Sequence, residues 1–164
     1  MTPAGPSAGL RAVRRQGETL RLVLDNDLAA IEAGRLEIRA WLDPAQLSPK
    51  VTNRWEVMFE ETVSNIIRHG FSRGVRHTIV VEAARTAETI DFTFDDDGSP
   101  FDPLAVAEPA PLRSLETAPL GGLGVALIRR LSSAMSYTRD PAEETGEPGF
   151  TPRNRLKVSI ATGA

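Results

Sequence analysis

Cysteine is absent from the 164 residues, which excludes disulfides, thiolate metal sites and a cysteine nucleophile. Histidine occurs only as His69 and His77, too few for a histidine-rich metal centre, so any metal is expected on oxygen ligands. No apolar run approaches the ~20 residues that span a bilayer, and residues 1–17 have no apolar stretch of the signal-peptide kind. A cytoplasmic protein without membrane contact is the expectation. Nor is there an excess of one charge: 19 Lys and Arg against 22 Asp and Glu leave a net charge of -3, giving no electrostatic reason to expect nucleic acid. The remainder is ordinary, at 41% hydrophobic and 25% charged, and fits one domain that buries roughly two thirds of its unfolded surface.

Residues 1–17 carry prolines, glycines and arginines without periodicity and read as a flexible tail or a short edge segment, with the domain proper at 18–164. Leu20, Leu22 and Leu24 alternate with polar neighbours and stop at Asp25-Asn26-Asp27, the pattern of a strand followed by a helix cap. A first helix carries Leu28, Ile31, Leu36 and Trp41 and closes at Asp43-Pro44. From Pro49 to His69 the helical repeat is clearest: Val51, Trp55, Met58, Phe59, Thr62, Val63 and Ile66 form one stripe. At about 100° per residue, Glu61, Asn65, Arg68 and His69 then project along one flank of that stripe. Gly70 is a natural C-cap.

Two alternating runs, His77–Ala84 and Thr89–Phe94, predict a hairpin. Pro103, Pro109, Pro111 and Pro119 exclude a regular element and predict a lid over about 100–120. A helix from about Gly122 to Leu131, a strand near Ala134–Thr138, a turn over 141–149 and a last strand at Leu156–Ile160 follow. Segregated helices and antiparallel strand signals predict an α+β fold, a two-layer sandwich whose mixed, mainly antiparallel sheet carries helices on one face.

Three polar or glycine-rich elements carry chemistry. Asn65 offers a carboxamide oxygen to Mg²⁺, which takes one or two protein ligands and the rest from phosphate and water. Glu61, one turn earlier, stands where a base beside a metal-bound phosphate would act; an exposed helix face gives the same residues by chance. Asp95-Asp96-Asp97-Gly98 closes a strand with three adjacent carboxylates. A turn explains them, and so does an adenine site in which Asp96 accepts from the exocyclic amine and Gly98 lets the backbone pass close to the base. Gly121-Gly122-Leu123-Gly124 opens a helix whose free N–H groups suit phosphate, although it is neither a Walker loop nor a dinucleotide fingerprint. Arg113 in the lid is a candidate phosphate contact or a solvated loop arginine. Arg129-Arg130 reads as a solvated helix face, and His69 as a helix-end residue with a local hydrogen bond.

In this order, the elements resemble the Bergerat-type ATP site of the GHKL superfamily, most closely the anti-sigma factor serine kinases of the RsbW type. Glu61-Thr62-Val63-Ser64-Asn65-Ile66-Ile67-Arg68-His69-Gly70 is similar to the N box, Asp96-Asp97-Gly98-Ser99-Pro100-Phe101-Asp102-Pro103 to the adenine box, and Gly122-Leu123-Gly124 to the phosphate-binding Gly box. The resemblance implies ATP and Mg²⁺ as cofactors, Glu61 as general base and Asn65 as metal ligand. It also implies phosphorylation of a STAS-domain anti-sigma factor antagonist, with a sigma factor or other target as second partner. Family members are often dimers, which makes Trp41 or the first helix a candidate homodimer interface. Two positions depart from the pattern: Pro100 replaces a second glycine, and Asn154 stands where many relatives have a phosphate-contacting Thr or Ser. Glu61 and the absence of a phosphorylatable His box count against a sensor histidine kinase. A nucleotide-dependent binding module without transfer and a GHKL ATPase are the alternative readings.

Overall fold

Alternating leucines become a strand here because each has a helix to bury against. The computed structural model describes residues 8–107, 123–140 and 151–163 of the chain. Strands β1 (Leu10–Gln16) and β2 (Thr19–Asp25) lead into helices α1 (Ala29–Leu42) and α2 (Pro49–Asn65). The hairpin β3 (Thr78–Arg85) and β4 (Thr89–Asp96) follows, then α3 (Leu123–Leu131), β5 (Ala134–Arg139) and β6 (Asn154–Ala161). The six strands form one sheet in the order β1-β2-β3-β4-β6-β5, and every described pairing is antiparallel. The α+β fold is as expected.

One face of the sheet supplies the core. Leu20, Leu22 and Leu24 of β2, Ile79 and Val81 of β3, Ile90, Phe92 and Phe94 of β4, and Val158 and Ile160 of β6 are all buried. They meet Ile38 of α1, Trp55, Met58, Phe59 and Val63 of α2 and Ile128 of α3 in a single cluster, each fully buried side chain contributing about 1.5–3 kcal/mol. Gly34 permits the close approach of α1: a Cβ there would lie 2.7 Å from Phe59 Cζ. Ser48 caps α2 by accepting from the Val51 amide, with Pro49 as its first residue. No helix among the described residues is long and apolar enough to cross a membrane.

Three expectations are corrected. Residues 10–16 are not a tail but the edge strand β1, paired along its length with β2; its arginines keep this open edge charged. Trp41 is buried and its indole N–H donates to the Gly17 carbonyl at 3.3 Å, so it serves the protein's own core and not an interface. Gly70 ends the second helix, but it is not among the glycines with positive φ. Instead α2 widens into a π-helical turn over Ile66–Gly70, a device common at functional sites.

Candidate active site

The end of α2 and its π turn, the end of β4, α3 at Ile128 and the paired strands β5 and β6 converge on one pocket. It is lined by Thr62, Asn65, Ile66, His69 and Gly70 from the α2 side, by Asp96, Ser99, Phe101 and Pro103 after β4, and by Ile128, Tyr137, Asn154 and Leu156. Glu61 and Asn65, four residues apart on α2, face the start of α3. A Cβ on Gly124 would fall 2.5 Å from Glu61 Oε2, 3.3 Å from Asn65 Nδ2 and 3.6 Å from Asn65 Oδ1. Glycine at 124 therefore lets the first turn of α3 come close to the polar row of α2, with no side chain of its own between them. The α-helical phasing that unites Glu61 with Asn65 stops at the π turn. His69 still lines the pocket, but Arg68 does not.

The three consecutive aspartates avoid mutual repulsion by facing three ways. Asp95 points to the open sheet face, where Arg153 Nε and Arg155 Nη2 bind its two oxygens, the latter at 2.8 Å. Asp97 bonds His77 Nδ1 at 3.0 Å, and that ring stacks on Phe71 with centroids 4.5 Å apart. Asp96 alone turns into the pocket, 4% exposed. Its Oδ1 accepts from the Gly98 amide at 2.9 Å and from Asn154 Nδ2 at 3.0 Å, and its Oδ2 has no protein partner among the described residues. Burial pushes this carboxyl above the usual carboxylate range, against the pull of the Asn154 and Gly98 bonds and of Arg153. Asp96 lines the pocket, so an oxygen that has no protein partner among the described residues can accept from a donor brought by a ligand.

Gly98 is required by crowding. Its Cβ would lie 2.6 Å from the Gly70 carbonyl oxygen, and that same oxygen accepts from the Ser99 amide at 2.8 Å. The π turn thus delivers Gly70 to the loop that follows Asp96.

Asn154, which departs from the Thr or Ser of many relatives, bonds Asp96. It pairs with Asp96 across β4 and β6, and its Nδ2 also donates to the Ser99 carbonyl at 3.0 Å. Tyr137 Oη and Arg139 Nη1 both donate to its Oδ1 at 2.6 Å, which fixes the amide with Nδ2 toward Asp96. It belongs with Asp96 and the loop that follows β4. Tyr137, two residues before Arg139 on β5 and so on the same strand face, was legible as its neighbour but carried no motif.

Leu123 is half exposed at the first turn of α3. Gly122, Arg113 and most of the expected lid, residues 108–120, lie outside the described residues, as does the turn at 141–149. No group of three His, Asp or Glu that would hold a metal occurs among the described residues. A single carboxamide at Asn65, which lines the pocket, fits a Mg²⁺ ion whose other ligands are phosphate and water.

Residues 24–146 match the histidine kinase-like ATPase domain family. The serine/threonine-protein kinase BtrW of Bordetella bronchiseptica is 32% identical over 80 residues, a match spanning 49% of this chain and 56% of that protein. The crystal structure of the RsbU and RsbW domains of a Mycobacterium tuberculosis protein superposes with a TM-score of 0.57 over 89% of this chain and 33% of that one, at 18% identity, a likeness of fold. The match to BtrW bears out the family resemblance, and an ATPase domain implies ATP as the ligand class. The family match takes in α2, β4 and α3, three of the elements that meet in the pocket: the chain belongs to the histidine kinase-like ATPase domain family.

Proposed function

We propose that the protein is a Mg-ATP-dependent kinase that transfers the γ-phosphoryl group to a serine or threonine of a STAS-domain antagonist. The same surface would hold a sigma factor or another regulatory target until the unphosphorylated antagonist competes for it. The observation that carries the reading is the close approach of Gly124 to Glu61 and Asn65, with Asn65 lining the same pocket as Asp96.

Each residue has a role in that reaction. Asp96 Oδ2 accepts from the adenine amine, and Gly98 keeps the loop thin enough for the base to lie against it. Leu123 and Gly124, at the start of α3, offer main-chain N–H groups and the positive end of the helix dipole to the phosphates. Asn65 supplies the protein ligand for Mg²⁺, which when bound neutralises charge on the transferring phosphate. Glu61 takes the proton of the acceptor hydroxyl as its oxygen bonds to the γ-phosphorus and the bond to the β-phosphate oxygen breaks, leaving ADP. Positioning and charge neutralisation supply most of the acceleration. The presence of a carboxylate at 61, beside the phosphate space, favours transfer over mere sequestration of a partner.

Calorimetry of Mg-ATP with the unaltered chain and with Asn65→Ala tests the site. Binding that needs Mg²⁺ and is lost in the variant is the expected result, and no binding by the unaltered chain refutes the reading. Labelled ATP with a serine-bearing STAS-domain protein then separates the outcomes: acceptor-dependent labelling supports the kinase, whereas phosphate release without an acceptor supports an ATPase.

A further inference from the structure

Arg129 does not behave as a solvated helix residue. It is partly buried on α3, and its Nη2 donates to three main-chain carbonyls of a single stretch: Pro103 at 2.7 Å, Leu104 at 2.9 Å and Val106 at 2.6 Å. Arg130 beside it is exposed. The stretch is a turn with its own internal bonds, since Asp102 Oδ1 accepts from the Leu104 amide at 2.8 Å and the Asp102 carbonyl from the Ala105 amide at 3.2 Å.

Apolar burial does not hold this turn in place. Phe101 and Leu104 are each 42% exposed, and Pro103 is the one buried residue of the stretch 101–107. Charge-assisted bonds from a guanidinium are the stronger tether, because they satisfy several main-chain acceptors from one rigid donor group. What they tether matters to the pocket. Phe101 and Pro103 line it together with Ile128, the residue before Arg129. Five residues before Arg129, the same helix sets Gly124 against Glu61 and Asn65.

We propose that Arg129 is a positioning residue that fastens the turn 102–106 to α3 and thereby holds Phe101 and Pro103 as a wall of the base end of the pocket. The inference rests on the nucleotide reading above and deepens it. Among the described residues Arg129 makes no hydrogen bond or ion pair to Glu61 or Asn65. Its loss therefore weakens every ligand that carries the base, by one common factor, and leaves the Mg²⁺ requirement unchanged. A defect at the phosphate end would instead grow with the number of phosphates.

Calorimetry with adenosine, ADP and ATP in the presence of Mg²⁺ distinguishes these. Arg129→Met, which removes the donors and keeps the length, should weaken all three at least ten-fold. Arg129→Lys, which keeps a cationic donor, should recover part of the loss, and Arg130→Met should bind like the unaltered chain. Asp102→Ala loosens the same turn from its other side with α3 intact. It should weaken all three ligands in the same direction, and it decides the matter if Arg129→Met does not fold by circular dichroism. Unchanged affinity in Arg129→Met and Asp102→Ala overturns the inference alone, as does a loss that rises from adenosine to ATP. Failure of the unaltered chain to bind ADP or ATP overturns the nucleotide reading and this inference with it.

Discussion

Replacing Gly98 by alanine places a methyl group where the structure has none to spare. The Cβ would meet the Gly70 oxygen at 2.6 Å, Asp96 Oδ1 at 2.8 Å and the Gly70 carbonyl carbon at 3.0 Å. Ordinary carbon–oxygen contacts begin near ~3.3 Å, so the overlap with the Gly70 oxygen is about 0.7 Å. Neither oxygen can retreat freely, because the first accepts from Ser99 and the second from Gly98 itself. Overpacking of this kind costs about 1–3 kcal/mol, and the loss of one hydrogen bond adds about 1 kcal/mol. For a chain of this size each kcal/mol lowers Tm by about 2–4 °C, which sets the expected drop at roughly 5–15 °C. The assay is thermal melting by circular dichroism, with Gly163→Ala as control because a Cβ there meets nothing within 4 Å. Nucleotide binding should fail together with the drop, since Asp96 is displaced in the same step. A Gly98→Ala protein that melts within about 1 °C of the control and binds ADP normally would refute the crowding argument.

Other outcomes follow from the same geometry. Folding favours the protonated Asp96, whose pKa burial raises, so its contribution to stability is full below the ordinary carboxylate pKa and is lost as pH rises through the raised value. Asp96→Asn should therefore melt above the unaltered protein at pH 7, with the gap closing toward acid, and should lose ADP affinity; a gap that widens toward acid contradicts the assignment. Glu61→Ala should retain ATP binding in calorimetry and lose phosphoryl transfer to a STAS-domain acceptor, and full transfer by that variant would sink the role of Glu61. Asn154→Leu strands the Tyr137 hydroxyl, Arg139 and the Ser99 carbonyl around an apolar side chain. A loss of about 3 kcal/mol or more in urea unfolding is expected, each of the three stranded groups costing about 1–3 kcal/mol.

The second helix was legible because the need to bury Trp55, Phe59 and Val63 imposes a 3.6-residue period, and that period also fixes where Glu61 and Asn65 point. The hairpin was legible for the corresponding reason at period two. β1 was not, because only Leu10 of its seven residues is buried; main-chain pairing with β2 makes it a strand, and side-chain pattern says nothing of it. The destination of each aspartate in 95–97 depends on partners from β6 and from the segment before β3, contacts that no local pattern encodes. Asn154 was legible only as a departure from the family pattern, whereas strand register sets it opposite Asp96. Arg129 gave no sign at all: its partners are 23 to 26 residues away and are carbonyls, which every residue possesses.

The wide turn at Ile66–Gly70 is equivalent to one residue inserted into a helix. Glu61 and Asn65 take their bearing from the regular helix before it, while the Gly70 carbonyl takes its bearing from the insertion. A gene shortened by one codon here would leave the first pair in place and swing Gly70 by about 100°, away from Ser99. The two ends of the site are thus set relative to each other in whole-residue steps, an adjustment open to insertions and deletions and closed to point substitution.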